Sequence, residues 1–168
     1  MFGDGSYRDT LSVLEKVLIS SGADKNKKLD VDTVARIVGA PTHDLINSVL
    51  RAIENDDISE GLLSFQKADE NHVEMKVYLK MLLQKLRAVL LLRYAPTSET
   101  VLADEFTPDD LAFLKTLAVS EKKRINSHVL SQFLSASRDI GYSAIASLPL
   151  ELALIRVFGE GKEVTRTG

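Results

Sequence analysis

The chain has 168 residues, 45% of them hydrophobic, with 9 glycines and 4 prolines. That composition suits one domain, or one domain with a smaller attached piece, and excludes a disordered chain. The absence of cysteine excludes disulfides, thiolate metal sites and cysteine catalysis, and a net charge of -3 lacks the basic excess usual in nucleic-acid binders.

The first predicted helix covers residues 6–20. Ser6 reads as its N-cap, Asp9 takes the third position, and Leu11, Val13, Leu14, Val17 and Leu18 follow at helical spacing. Arg8 therefore lies in the first turn, at the positive end of the helix dipole. Pairing of a solvated Arg8 with Asp4 accounts for this without a function. The functional reading is that Arg8 and the free N–H groups of the helix end face an anion. On spacing alone the first account is preferred.

Ser21-Gly22 closes that helix, a polar loop follows, and Asp30 caps a short helix carrying Val31, Val34, Ile37 and Val38. Gly39-Ala40-Pro41 stops it, because proline disfavours helical geometry in the residue before it. Two helices this short cannot enclose a core, so they must pack on something else. A boundary is placed near residue 40.

Thr42 opens a helix with Leu45, Ile46, Val49, Leu50 and Ile53 on one face, broken at Asn55-Asp56-Asp57. A helix over 58–68 carries Ile58, Leu62, Leu63 and Phe65. Asn71 is the expected cap of the longest helix, 73–94, whose stripe is Met75, Leu79, Leu82, Leu83, Leu86, Val89 and Leu90. Lys76, Lys80, Gln84 and Arg87 lie opposite, while Val89 to Leu92 are apolar nearly all round. The span 97–105 reads as a loop. Thr107-Pro108 starts a helix with Leu111, Phe113, Leu114 and Leu117. Asn126 starts another, with Val129, Leu130, Phe133 and Leu134, ending at Gly141-Tyr142. Ser147-Leu148-Pro149 opens the last, rich in Leu150, Leu152, Leu154, Ile155, Val157 and Phe158. Residues 161–168 are expected to form a flexible tail. The expected fold class is all-α, a bundle of about seven helices, two short ones preceding a larger helical domain.

No complete active site is recognisable, and no catalytic residue is assigned. His43, His72 and His128 have no histidine partner at helical ligand spacing, so no metal site is expected. The acidic pairs Asp56-Asp57, Asp69-Glu70 and Asp109-Asp110 sit at predicted helix ends, where they suit the dipole or a turn. There is no Gly-x-x-x-x-Gly-Lys-Ser/Thr phosphate loop. The final helix and the end of the 73–94 helix are more apolar than one buried face requires. Either both lie at the bundle centre, or Leu91, Leu92, Leu150, Leu154, Val157 and Phe158 contribute an interface to another subunit.

The segment "GSYRDTLSVLEKVL" resembles the Gly-Ser-x-Arg-Asp-x-Leu-Ser-x-Leu motif of the bacterial DNA polymerase III gamma/tau subunit family, at Gly5, Ser6, Arg8, Asp9, Leu11, Ser12 and Leu14. "LDVDTVARIVG", "DLINSVLRAIENDDISEGLLSF", "LRAVLLLRYAP" and "LPLELALIRV" follow in the order found in that family. The 24–28 basic loop is longer than the family pattern, and 95–125 matches loosely.

The resemblance implies an AAA+ ATPase, the motor of the replication clamp loader. Residues 1–40 would be the end of the AAA+ lid domain and 41–160 the oligomerisation collar domain. Arg8 would be the sensor-2 residue reaching the terminal phosphates of ATP, and Tyr7 would border the nucleotide. ATP and Mg would be cofactors of the full-length protein, not of this fragment, which would hydrolyse nothing itself. Implied partners are the delta and delta-prime subunits, further gamma/tau copies and, through the whole assembly, the sliding clamp and primed DNA. Direct DNA binding by this chain and membrane association are not expected, and the implied location is cytoplasmic. A stand-alone helical adaptor using its apolar last helix is the alternative. A helical enzyme with a site built from scattered histidines and carboxylates is a third reading.

Overall fold

The computed structural model describes residues 43–163, with side chains through residue 159. The two short helices expected ahead of residue 40, with Tyr7 and Arg8, lie outside the described residues, as does the end of the expected tail from residue 164. Among the described residues there are seven α-helices, one 3₁₀ turn and no strand. The all-α expectation therefore holds.

Helix α1 (His43–Asn55) buries Ile46, Val49, Leu50 and Ile53, the face set by three- and four-residue spacing. It ends in a Schellman motif. Asp56 takes φ 59°, its N–H reaches the Ile53 carbonyl at 3.4 Å, and the Asp57 N–H reaches the Ala52 carbonyl at 2.9 Å. The Asp57 carboxylate then accepts from the Glu60 N–H and caps α2 (Ile58–Glu70). A two-residue link of this kind makes α1 and α2 packed neighbours.

The same closure ends α2. His72 has φ 57°, with its N–H on the Asp69 carbonyl and the Val73 N–H on the Ala68 carbonyl. Asn71 is thus the C-cap of α2 and not, as expected, the N-cap of the next helix. Helix α3 (Met75–Tyr94) begins two residues later than predicted, behind Glu74, which makes no side-chain cap bond. The Schellman turn uses 71–73 before α3 can start.

After a 3₁₀ turn (Pro96–Ser98), the expected loop is a seven-residue helix, α4 (Glu99–Glu105). Only Leu102 of this helix is buried, so it carries no apolar period to read. Glu99 pairs with Lys115 of α5 (Pro108–Ala118). The predicted start of α5 holds: Thr107 Oγ1 accepts from the Asp110 N–H at 3.2 Å, with Pro108 in the first turn. Asn126 likewise caps α6 (Ser127–Ala136) by accepting from the Val129 N–H. Helix α6 stops before the predicted Gly141-Tyr142, and turns fill residues 137–142. Helix α7 (Leu148–Glu163) runs five residues past Phe158 into the expected tail. Gly159 is absent from the positive-φ backbone positions, so it forms no left-handed cap.

Helix α3 runs between α5 and α6, while α2 packs on both α1 and α7. Gly61 makes the α2–α7 approach possible, since a Cβ there would stand 2.6 Å from Leu154 Cδ2. Phe65 is the aromatic centre, with Tyr78 5.6 Å and Phe133 6.5 Å away, both edge-on. The Tyr78 hydroxyl donates to the Leu45 carbonyl at 2.9 Å and lies 2.8 Å from Ser64 Oγ, which also bonds that carbonyl. One polar knot therefore ties α1, α2 and α3 inside an apolar core.

Candidate functional site

A lysine lies inside the bundle. Lys85 falls between Leu82 and Val89 on the buried stripe of α3 and is 2% exposed. Its Nζ donates to Asn47 Oδ1 of α1 at 2.8 Å and to Asp110 Oδ1 of α5 at 3.2 Å. His43 Nδ1 lies 3.5 Å from that amine. Asp110 is buried too, and its Oδ2 lies 2.8 Å from His43 Nδ1, at ion-pair distance but out of line for a hydrogen bond. Burial pushes the Lys85 ammonium below the ordinary lysine range, and the charge and hydrogen bond of Asp110, with the charge of Asp44, oppose that shift.

The sequence reading missed this cluster. The signal was present: positions 82, 85, 86 and 89 share one helical face. From sequence, Asp110 is a dipole partner at a helix start. It occupies that position, but its side chain turns inward.

Beside the cluster is a polar cavity of about 290 Å³ lined by His43, Asp44, Asn47, Thr107, Asp109 and Asp110. Among the described residues no group of three His, Cys, Asp or Glu side chains could hold a metal ion. Nor does the cavity fit a triphosphate, because its three carboxylates repel one. Lys85 is 2% exposed, and its bonds to Asn47 and Asp110 join α3 to α1 and α5. His72 and His128 are exposed at helix ends, away from each other in sequence and element.

The six interface candidates divide into two groups. Leu150 and Leu154 are 0% exposed and Leu92 is 9% exposed, all three within the chain's own core. Leu91, Val157 and Phe158 are half-buried and pack against that core. The outward apolar residues of α7 are instead Leu152, 41% exposed, and Ile155, 46% exposed. Near them in the chain, Tyr142 and Ile145 on the α6–α7 connection are also exposed. Tyr142, Leu148, Pro149 and Leu152 line one cavity of about 290 Å³, which joins the connection to the start of α7. This corner is the exposed apolar surface that α7 presents.

No described helix is long and apolar enough to cross a membrane. No curated protein matches the sequence. The family model for DNA polymerase III subunits gamma and tau domain III matches residues 29–166, a span that starts ahead of the boundary expected near residue 40 and includes every described helix. An all-α bundle matched over that span belongs to the DNA polymerase III gamma and tau subunit family, as its domain III.

Proposed function

We propose that residues 41–160 are the oligomerisation collar of a replication clamp loader, and that residues 1–40 are the end of an AAA+ lid. The collar's work is assembly: it holds ATPase units in a ring while their lids move with nucleotide state. The loader then opens a sliding clamp and places it on primed DNA. The partners are the delta and delta-prime subunits and further gamma/tau copies. In the full-length protein, ATP with Mg is bound by the ATPase domain, with Arg8 as sensor 2 and Tyr7 beside the nucleotide. The 168-residue chain itself is expected to hydrolyse no ATP.

The observation that carries the reading is the exposed apolar pair Leu152 and Ile155 on α7, with Tyr142 and Ile145 exposed on the connection before it, on a chain of the gamma and tau family. Exposed apolar residues that the fold does not need suit a subunit contact. Leu150 and Leu154 support that contact from within, by anchoring α7 in the core.

The test is co-elution of the chain with delta and delta-prime in size-exclusion chromatography with light scattering. Leu152→Glu with Ile155→Glu is expected to abolish the complex while leaving helical content and melting temperature unchanged. A complex that forms normally with this double variant refutes the assignment of the corner. In the full-length protein, Arg8→Ala is expected to impair ATP-coupled clamp loading with the ring still assembled. Ring loss with a normal ATP response would refute the sensor-2 role.

A further inference from the structure

A second surface lies between α3 and α6. There an open groove of about 420 Å³ has Leu79, Leu83, Leu130 and Leu134 among its lining residues. Leu134 is 58% exposed, although it belongs to the apolar face that the sequence assigns to the core. The rim on α3 carries Lys76, Lys80 and Arg87, all exposed, and no acidic residue lines the groove.

None of these three cations makes a hydrogen bond or ion pair with a described residue. They form a local positive edge on a chain whose net charge is -3. The Lys76 chain passes beside the turn after α6. Gly141 has φ 87°, a conformation that favours glycine, and a Cβ there would stand 2.6 Å from Lys76 Cε, so the turn and the lysine chain lie against each other.

An apolar floor beside a one-signed rim is built for an amphipathic segment of the opposite sign. From Lys76 to Arg87 the rim runs about 16 Å at the helical rise, or roughly three turns. We propose that this groove docks an acidic amphipathic helix of a partner protein. Its leucine-type side chains enter between α3 and α6, and its carboxylates meet Lys76, Lys80 and Arg87. A nucleic acid would leave the floor unused, and this groove shares no residue with the α7 corner, so the proposal does not depend on the assembly reading.

The test is fluorescence anisotropy of the whole 168-residue chain with two labelled synthetic helices. Both carry leucine at positions i, i+4, i+7 and i+11. One has glutamate at the flanking positions and the other lysine. The glutamate helix is expected to bind at least tenfold more tightly, and to weaken severalfold between low and moderate salt. Lys80→Glu with Arg87→Glu should weaken it at least tenfold, as should Leu134→Asp. Circular dichroism of each variant, at exposed positions, should match the parent. Equal binding of the two helices, or binding unchanged in the variants, overturns the proposal. So does charge-dependent binding of phosphatidylserine vesicles or a thymidine oligonucleotide without binding of the glutamate helix. Self-association of the parent that Leu134→Asp abolishes would assign the groove to a second copy and overturn it equally.

Discussion

Lys85 and Tyr78 are the largest polar side chains fully buried in the bundle, and Asp110, Asn47 and Ser64 are buried with them. A buried lysine stands only while its partners do, since an unpaired buried charge costs several kcal/mol. Lys85→Met leaves Asp110 buried without its counter-charge. We expect a loss of about 3 kcal/mol in urea denaturation, largely recovered by adding Asp110→Asn. Lys85 also has a pH signature. Its folded pKa is lowered, so the unfolded chain holds the proton more tightly. Stability contributed by this group therefore rises with pH, between the lowered folded value and about 10.5. Tyr78 acts in the opposite direction. Burial raises its pKa above the ordinary value of 10.0, against the opposing hydrogen bond with Ser64. Above pH 10 the unfolded chain loses the phenolic proton first, so stability falls as pH rises. Tyr78→Phe should cost about 1 kcal/mol at neutral pH through lost hydrogen bonds. Above pH 10 the variant's stability curve should be less steep, by up to about 1.4 kcal/mol per pH unit. Unfolding curves at pH 7, 10 and 11 check both signs.

At the scale of elements, helix ends decide the connections. Arg93, in the last turn of α3, donates to the carbonyls of Ala118 at 3.1 Å, Leu117 at 3.3 Å and Ile125 at 2.6 Å. One guanidinium thereby closes the C-terminus of α5 and holds the turn leading to α6. Its planar fork reaches three acceptors that a lysine ammonium cannot reach together. Arg93→Ala should cost about 2–3 kcal/mol, and Arg93→Lys should recover less than half of it. Amide hydrogen exchange at the end of α5 should speed up in both. Local signals foretold some helix ends and not others. Thr107-Pro108 and Asn126 were legible because cap chemistry lies within three residues. The closure of α2 was not, because His72 in the left-handed region is an uncommon choice that satisfies carbonyls of the preceding turn. Helix α4 was illegible for a different reason: one buried side chain makes no period.

At the scale of the molecule, burial separates residues that look alike in sequence. Leu150 and Leu152 are neighbours on α7, yet Leu150 is 0% exposed and Leu152 is 41% exposed. Leu150→Ala should cost about 2–5 kcal/mol by cavity formation. Leu152→Ala should change stability by no more than about 0.5 kcal/mol, while weakening assembly with delta and delta-prime. Thermal melts and co-elution of the two variants check this contrast. Composition and periodicity by themselves determined that the chain is helical and where most helices lie, because backbone propensity and face spacing are local properties. The order of motifs along the chain by itself resembles that of the gamma and tau family. Only the tertiary structure decided which of the leucines on α7 face inward, that Lys85 meets Asp110 across 25 residues of chain, and that Lys76, Lys80 and Arg87 edge an open groove. The reason is physical. A helix sequence states which residues share a face, but what covers that face depends on which helix packs there.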